Sequence, residues 1–363
     1  MNVNMDLSMN VNTDLSMNVN TDLSMNVNTD LSMNVNNNNN NNNTPNTNVY
    51  MNILLLKQYI NALSINIEKH KIHNNINLIF DSGAVNGLLG IGSALYLKHL
   101  QDLNYINVHK VSGCSIGSII ALWYLCSCPN IIYPYLEDLF SYYKKNKNFF
   151  IFKKIVKRSI YKLLKNDDLS FFKNRLYINY YDTIEGKQEI VCNFKNREHL
   201  IECILKSSHV PYVSNDTYKY ENRYIDGISP YIFNNNDDIN RNSKIKIKNL
   251  FIKLIDLRSP LKSMYVKNEK NIYSRILKGV TFTNEFFINN NFTLCMYINN
   301  KITFQLYIRQ YIVIFIIFLI DSILAVNNNL PKSIKECCVY KKVLQLNDCM
   351  CDKFINYIVN KIH

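Results

Sequence analysis

A five-residue motif between a predicted strand and an apolar helix constrains the fold of this chain most strongly. The motif is a Gly-x-Ser-x-Gly that reads Gly113-Cys114-Ser115-Ile116-Gly117. Its surroundings predict a strand over Ile106–Val111 and a buried helix over Ile116–Leu125. A strand-to-helix turn this tight needs flanking residues without a Cβ, so that the backbone can crowd while the serine hydroxyl stays exposed. The motif therefore predicts a nucleophile at Ser115, the alternative being a serine that only caps the helix.

A second strand and helix precede this motif and indicate the fold class. The apolar spacing predicts a strand over Ile76–Phe80 and a helix from Gly87 to about Leu103, ahead of the strand at Ile106–Val111. Strand, helix and strand at this spacing form a right-handed unit with parallel strands. A later strand is predicted within Lys244–Ile255. The sequence thus predicts an α/β fold with a mostly parallel sheet.

A glycine-rich turn follows the first predicted strand and opens the first helix of this unit. It reads Asp81-Ser82-Gly83-Ala84-Val85-Asn86-Gly87. Its backbone N–H groups should point toward the sheet edge that carries Ser115, where they could stabilise an oxyanion or hold a phosphate. The glycine spacing is not the dinucleotide fingerprint, and no Walker lysine is present, so nucleotide binding is disfavoured.

No histidine stands where the triad of an α/β-hydrolase would need it. The chain order in that fold is serine, acid, histidine. Of the seven histidines, only the terminal His363 follows the acids of the C-terminal half, and His199 and His209 could serve only in a different order. We therefore expect a carboxylate to act directly on Ser115.

Three elements in this order resemble the patatin-like phospholipase family. They are the glycine-rich turn, the Gly-x-Ser-x-Gly motif one βαβ unit later, and a distant Asp-Gly at Asp226-Gly227. The stretch Ser207–Pro211 is similar to the Ser-x-x-x-Pro that often precedes the family's Asp-Gly. The resemblance covers residues 76–230, which form the predicted motif core.

The resemblance implies a three-layer fold, with a mostly parallel central sheet flanked by helices, and it implies a role for each motif. Ser115 would be the nucleophile and Asp226 the base of a Ser–Asp dyad, with Gly227 completing the Asp-Gly motif. Gly113 and Gly117 would form the nucleophile elbow. The oxyanion hole would be built from Gly83 and Ala84, with Ser82 and Gly87 nearby.

The glycine-rich turn departs from the family pattern Gly-Gly-Gly-x-Arg/Lys-Gly. Two glycines and the basic residue are replaced, the latter by Asn86. If Ala84 must adopt a positive φ, the cost is roughly 1 kcal/mol. If the turn instead rotates one N–H away, the lost donor would cost ~3–4 kcal/mol of transition-state stabilisation. Ile228 also follows the Asp-Gly where the family usually has a small residue.

These features predict a serine-dependent lipid acyl hydrolase of the phospholipase A type. The substrate would be a phospholipid or another acyl-ester lipid, and no cofactor or metal is expected. One alternative is a catalytically weak or inactive lipid-binding module, and another is an acyltransferase that uses the same serine. Nucleic acid is not an expected partner, because no recognised module accompanies the basic charge.

The remaining chain is predicted from composition. Residues 1–50 are an octapeptide repeat and an asparagine tract with too little apolar area to fold, so we expect disorder there and one domain over 51–363. Residues 260–363 carry no readable motif and are expected to add helices as a C-terminal extension. The longest apolar run, Tyr311–Ile320, is too short to span a bilayer and is predicted to be a buried helix, the alternative being a membrane-inserted hairpin.

Charge and cysteine usage suggest location and partners. The formal net charge is +13, and all 41 Lys and Arg residues follow residue 50. Residues 144–165 hold nine basic residues, no acid and interleaved apolar side chains, so they could contact an anionic membrane, cover the acyl site, or simply pack on the core. We expect a cytoplasmic protein with reduced thiols, since no signal-peptide pattern opens the chain.

Overall fold

A computed structural model gives the fold of this chain. It divides the chain into two compact units, Met1–Tyr50 and Met51–His363. Three predictions lie wholly or partly outside the described residues. They are the disorder of residues 1–50, the first residues of the strand within Lys244–Ile255, and the last part of the C-terminal extension. The structure describes residues 47–67, 75–127, 129–146, 149–165, 168–210, 214, 217–234, 247–255 and 271–329.

Eight α-helices and seven strands are found within these residues. The helices are α1 (Thr47–Ser64), α2 (Gly87–Asp102), α3 (Ile116–Cys126), α4 (Pro129–Asn146), α5 (Phe152–Leu163), α6 (Arg197–Ser207), α7 (Tyr273–Asn289) and α8 (Asn300–Asn329). The strands are β1 (Asn75–Phe80), β2 (Asn107–Gly113), β3 (Leu176–Asp182), β4 (Lys187–Val191), β5 (Tyr224–Ile225), β6 (Lys248–Ile252) and β7 (Cys295–Tyr297).

The strands form one mixed sheet whose centre is parallel. Its order is β4-β3-β2-β1-β6-β7, and β5 pairs with β3. Strands β3, β2, β1 and β6 run parallel, whereas β4, β5 and β7 pair antiparallel at the margins. The carboxyl ends of β1 and β2 therefore meet at one edge, which is where ligand sites lie in open α/β sheets. The predicted α/β fold with a mostly parallel sheet is confirmed.

Helices cover both faces of the sheet because the central strands are apolar on both sides. Phe80 of β1 packs toward α3, with its ring 6.4 Å from that of Tyr124. On the opposite face Ile79 and Phe251 form a cluster with Phe233 and with Leu306 of α8. Five of the six residues of β1 are buried, as expected for a strand enclosed by helices on two sides.

The long C-terminal helix differs from its prediction in burial. Residues Tyr311–Ile320 are helical as expected, but they belong to α8, which is 30 residues long and is mostly exposed over residues 300–322. Its stretch Asn300–Ser322 is long and apolar enough to cross a membrane, and only 17 % of its most apolar part is buried. The prediction of a buried helix is therefore wrong, because a local apolar run does not reveal whether other elements cover it.

The basic segment 144–165 is divided between the end of α4 and helix α5. Helix α5 buries Ile155, Val156 and Ile160 and turns Lys153, Lys154 and Arg158 to solvent. Its apolar side is thus occupied by the protein core, and its basic side faces solvent.

Candidate active site

The Gly-x-Ser-x-Gly motif forms a sharp turn between β2 and α3. Ser115 has φ 54° and ψ −132°, a backbone conformation that residues with a side chain rarely adopt. A Cβ on Gly113 would lie 2.2 Å from the carbonyl oxygen of Gly117, and one on Gly117 would lie 2.5 Å from the carbonyl oxygens of Phe80 and Asp81. Because these neighbours are backbone atoms that cannot move cheaply, both positions require glycine. The turn therefore presents Ser115 at the carboxyl edge of the sheet.

The structure places the Ser115 hydroxyl beside the buried carboxyl of Asp226, close enough to lower the pKa of that carboxyl. The carboxylate of Asp226 also accepts the N–H of Ile228 at 2.8 Å. Burial of the carboxyl raises the pKa of Asp226 to about 6, while the Ser115 hydrogen bond, the Ile228 N–H and the nearby Arg309 act in the opposite direction. A carboxylate with this pKa can accept a proton near neutral pH more readily than an ordinary aspartate.

The end of α6 holds both residues in place. The N–H of Ser115 donates to the carbonyl oxygen of Ser207 at 3.1 Å and to its hydroxyl oxygen at 2.9 Å. The same carbonyl oxygen accepts the N–H of Gly227 at 3.2 Å, and the carbonyl oxygen of His209 accepts the N–H of Asp226 at 3.0 Å. Ser207 and His209 thus align two chain segments that are more than 100 residues apart in sequence.

The Asp-Gly loop is fixed from its other side by amide side chains. Asn179 of β3 and Gln188 of β4 each donate to the carbonyl oxygens of Gly227 and Ser229, at distances of 2.7–3.1 Å. Within this loop Ile228 adopts φ 62°, an outlier for a β-branched residue. These bonds hold the strained backbone that aims Asp226 at Ser115.

The glycine-rich turn lies beside the same two residues. Ser82, Gly83, Ala84 and Gly87 line one cavity with Ser115 and Asp226. Ala84 has φ 44°, so the turn adopts the positive-φ backbone conformation, which costs roughly 1 kcal/mol for a residue with a side chain. No hydrogen bond joins the N–H of Gly83 or Ala84 to another described residue. Both N–H groups are therefore suited to donate to an oxyanion that forms beside them.

Asn86 occupies the position of the missing basic residue and anchors the turn. Its amide nitrogen donates to the carbonyl oxygen of Leu254 at 2.9 Å. Its amide oxygen accepts a hydrogen bond of 2.7 Å from Arg275 of α7. A guanidinium therefore lies next to the turn, although it comes from a different part of the chain.

A second guanidinium, that of Arg309, reaches the site from α8. It donates to both carboxylate oxygens of Asp81, at 2.6 and 3.1 Å, and to the hydroxyl oxygen of Ser229 at 3.2 Å. Asp81 is fully buried and also accepts the N–H of Ser82 at 2.9 Å. Arg309 thus joins the glycine-rich turn to the Asp-Gly loop, through a bidentate ion pair with Asp81 and a hydrogen bond to Ser229.

The cavity in front of Ser115 has a volume of about 760 Å³ and walls that are almost wholly apolar. Helices α4 and α8 supply a large part of these walls, and Phe152 of α5 adds to them. Representative side chains are Leu136, Phe140, Tyr143, Phe149, Phe152, Ile308, Ile312 and Ile316. A space of this size and polarity fits hydrocarbon chains rather than a charged polymer.

Other candidate nucleophiles and bases do not fit this site. Burial raises the pKa of the Cys114 thiol well above its usual range, so this neighbour of Ser115 stays protonated. No histidine is found among the described residues that line the cavity. His209 contributes its backbone carbonyl to Asp226, and its Nδ1 lies 3.3 Å from the hydroxyl of Ser214.

Sequence reasoning missed two residues that organise the site. Arg309 left one signal, because it is the only charged residue between positions 302 and 320 of an apolar helix. Such an isolated charge calls for a buried partner. Ser207 was named as part of a motif, but the sequence did not indicate that it would contact Ser115. The roles predicted for Ser115, Asp226 and the turn residues remain predictions about catalysis, now with a geometry that suits them.

Comparison with known proteins agrees with this geometry. The family model for patatin-like phospholipase matches residues 78–237, which include the turn, Ser115 and Asp226. The chain is also 27 % identical over 147 residues to omega-hydroxyceramide transacylase of Mus musculus, a match that covers 38 % of this chain and 24 % of that protein. The chain therefore spans about a quarter of the length of the curated relative that it matches. Residues 78–237 of this chain are thus similar to the patatin-like phospholipase family, in agreement with the order of the motifs.

Proposed function

We propose that this protein is a lipid acyl hydrolase of the phospholipase A type, which cleaves ester bonds through Ser115 and Asp226. The observation that carries the proposal is that Ser115, Asp226 and the glycine-rich turn line one apolar cavity of about 760 Å³. The family match supports a lipid substrate. The substrate would be a phospholipid or another acyl-ester lipid whose chain fills the cavity.

The reaction would begin with proton transfer from Ser115 to Asp226. As the proton leaves, the serine oxygen attacks the ester carbonyl carbon, and the carbonyl oxygen becomes an oxyanion. The backbone N–H groups of Gly83 and Ala84 would stabilise this charge. Collapse of the intermediate breaks the ester bond, and the alcohol or lysolipid leaves with the proton that Asp226 held. The serine remains acylated.

Attack of water on the acyl-enzyme completes the cycle, through a second intermediate of the same kind. Asp226 accepts a proton from the water molecule that attacks the acyl-enzyme, and the second oxyanion occupies the same position near Gly83. When this intermediate collapses, the fatty acid is released and Ser115 recovers its proton from Asp226. Two chemical steps thus share one base and one oxyanion site.

The test combines covalent labelling with product analysis. Wild-type protein should react with a fluorophosphonate probe and release fatty acid from mixed phospholipid vesicles, and Ser115→Ala should lose both activities. Ser118→Ala is a matched control, since Ser118 lies one helical turn away and its hydroxyl donates to the Ser115 carbonyl oxygen. Absence of labelling in folded wild-type protein would instead favour the inactive lipid-binding module.

Acyl transfer is the second candidate, and the similarity to a protein named as a transacylase favours it. The acyl-enzyme would be the same, but an alcohol would replace water as the acceptor. Wild-type protein is therefore assayed with labelled phospholipid in the presence of a lysolipid or a long-chain alcohol. A new ester that outweighs the free fatty acid would identify a transferase, whereas fatty acid alone would identify a hydrolase.

The exposed basic side of α5 fits the same proposal. Lys153, Lys154 and Arg158 would lie near anionic headgroups, while the buried side of the helix stays in the core. This retains the predicted membrane contact of residues 144–165 in an electrostatic form, without insertion of the helix.

A further inference from the structure

Over residues 300–322 helix α8 is apolar around its circumference, yet most of this stretch is exposed. Between Ile302 and Ile320 its only charged side chain is Arg309. A helix of this kind is normally enclosed by protein or by lipid, because water would otherwise contact a continuous apolar surface. Residues that are more than half exposed include Phe304, Tyr307, Tyr311, Phe315 and Phe318.

The side chains of α8 divide into three faces. One face is buried against the domain and carries Leu306, Arg309 and Ile317. A neighbouring face lines the cavity in front of Ser115 with Ile308, Ile312 and Ile316. The third, which we call the aromatic stripe, consists of Phe304, Tyr307, Tyr311, Phe315 and Phe318. At about 3.6 residues per turn these five positions align on the side opposite Arg309.

The buried face keeps α8 against the domain. Arg309 holds Asp81 at 2.6 Å, and Lys219 pairs with Asp321 at 2.9 Å nearer the end of the helix. Ile317 packs with Tyr181, Ile225 and Ile228. A helix attached along one side in this way cannot also cross a bilayer, but it can lie in the plane of a membrane surface with its free side in the apolar layer.

Charge near the cavity indicates which kind of surface this would be. Lys144 and Lys145, at the end of α4, are exposed, as are Lys153 and Lys154 of α5. These helices form cavity walls together with α8. The cavity therefore has one wall on α8, the helix that carries the aromatic stripe, and another on helices that carry exposed lysines. Apolar and basic surfaces in this combination complement anionic phospholipid.

We propose that the aromatic stripe of α8 docks the protein on an anionic phospholipid surface, so that acyl chains pass along the helix into the cavity. The route to Ser115 rests on the proposed function, but the docking itself does not. Aromatic side chains suit this position because their rings bury apolar area at the boundary between acyl chains and headgroups. The aromatic stripe and the cavity-lining face belong to one helix, so a lipid that leaves the layer would stay in contact with apolar side chains.

Flotation with vesicles tests the docking without catalysis. All proteins carry Ser115→Ala, so the vesicles are not consumed and a failure of the proposed hydrolysis cannot affect the result. The parent should float with phosphatidylcholine vesicles that contain phosphatidylserine, and less with phosphatidylcholine alone. Phe315→Glu combined with Phe318→Glu should weaken this binding about tenfold or more. Ile184→Glu is the control, since Ile184 is 69 % exposed in the turn between β3 and β4.

Other outcomes would overturn the proposal. One is a parent that does not float, which would mean that residues 330–363 or another segment covers the stripe. Another is a double variant that floats as well as its parent. A parent that is a dimer by light scattering and becomes a monomer in the double variant would identify the stripe as a contact between two copies.

Hydrogen exchange on the parent protein covers the case in which the double variant does not fold. Vesicles should slow exchange in peptides from 304–320 and leave peptides from 183–190 unchanged. Unchanged exchange in 304–320, in protein that floats, would contradict docking through α8.

Discussion

The buried ion pair between Arg309 and Asp81 determines how the parts of the site are held together. Asp81 has no exposed surface and Arg309 is 7 % exposed, so both charged groups have lost their hydration and interact with each other instead. Such a pair is weak evidence for stability, because desolvation offsets most of the attraction. Its effect is geometric, since it links the glycine-rich turn, the Asp-Gly loop and α8. We infer that Arg309 is a positioning residue rather than a catalytic one.

Replacing Arg309 with Met should destabilise the protein by about 3–5 kcal/mol, because Asp81 is left as an unpaired buried charge. Adding Asp81→Asn removes that charge and should restore most of the free energy of unfolding measured in urea. With a short-chain soluble ester, kcat should stay low in the double variant while KM changes little. Recovery of stability and kcat together would reduce Arg309 to a purely structural residue.

Asp226 should make activity depend on pH in the mildly acidic range. Its carboxylate is the form that accepts a proton, and burial raises its pKa to about 6. We therefore expect kcat/KM to rise with pH through about 6 and then to level off. Asp226→Asn should have at most a trace of activity, without this rise. A flat wild-type profile between pH 4 and pH 8 would argue against Asp226 as the base.

The same shift has a consequence for stability with the opposite sign. The pKa of Asp226 is higher in the folded protein than its ordinary value of 3.8, so the folded state binds the proton more tightly. Stability from this group is complete below the unfolded pKa and is lost as pH rises to about 6. Over that range wild-type protein should lose stability relative to Asp226→Asn, as measured by urea denaturation at each pH.

At the scale of elements, three chain segments converge at the carboxyl edge of the sheet. Strand β2 ends at the turn that carries Ser115, β5 leads directly into Asp226, and α6 ends between them. The single carbonyl of Ser207 accepts N–H groups from both Ser115 and Gly227. This arrangement makes the end of α6 the part that sets the distance between nucleophile and base.

Ser207→Ala should lower kcat against a soluble ester by several-fold to about tenfold, since the N–H of Ser115 loses one of its two acceptors and a hydrogen bond is worth about 1 kcal/mol. Ser208→Ala is the matched control: its hydroxyl is buried and finds no hydrogen-bond partner within the described part of the chain. We expect Ser208→Ala to keep its stability and most of its kcat. An equal loss of kcat in both variants would show that any change at the end of α6 lowers activity, and it would contradict a specific role for the Ser207 contact.

At the scale of the whole molecule, the domain depends on a close contact between α2 and α7. A Cβ on Gly92 of α2 would lie 2.0 Å from the carbonyl oxygen of Ile276, and one on Gly279 of α7 would lie 2.1 Å from that of Leu89. The two helices therefore touch backbone to backbone. Since α2 begins at Gly87, this contact also supports the glycine-rich turn in front of Ser115.

Gly279→Ala should separate these helices and reduce the free energy of unfolding by about 1–3 kcal/mol, as expected for overpacking against backbone. Gly186→Ala is a useful comparison, because nothing lies within 4 Å of its Cβ position and only its φ of 66° opposes the change. That variant should lose about 1 kcal/mol or less. Urea denaturation of both proteins tests the difference, and equal losses would contradict close helix packing as the cause.

Local sequence patterns determined the central part of this fold. The strand ending at Phe80, the helix starting at Gly87 and the motif around Ser115 were predicted within a residue or two at these boundaries, because strand and helix periodicity and tight-turn glycines are local properties. The absence of a suitable histidine predicted only that the base is a carboxylate, and the family resemblance identified that carboxylate as Asp226.

Tertiary structure alone decided what surrounds those motifs. The sequence could not pair Arg309 with Asp81 across 228 positions, place Ser207 against Ser115, or reveal that α8 is covered along one side only. The physical reason is that an apolar run reports its own preference to avoid water, whereas burial depends on which other segments reach it. The sequence thus determined the chemistry that this edge of the sheet can present, and packing determined the cavity and the exposed aromatic surface beside it.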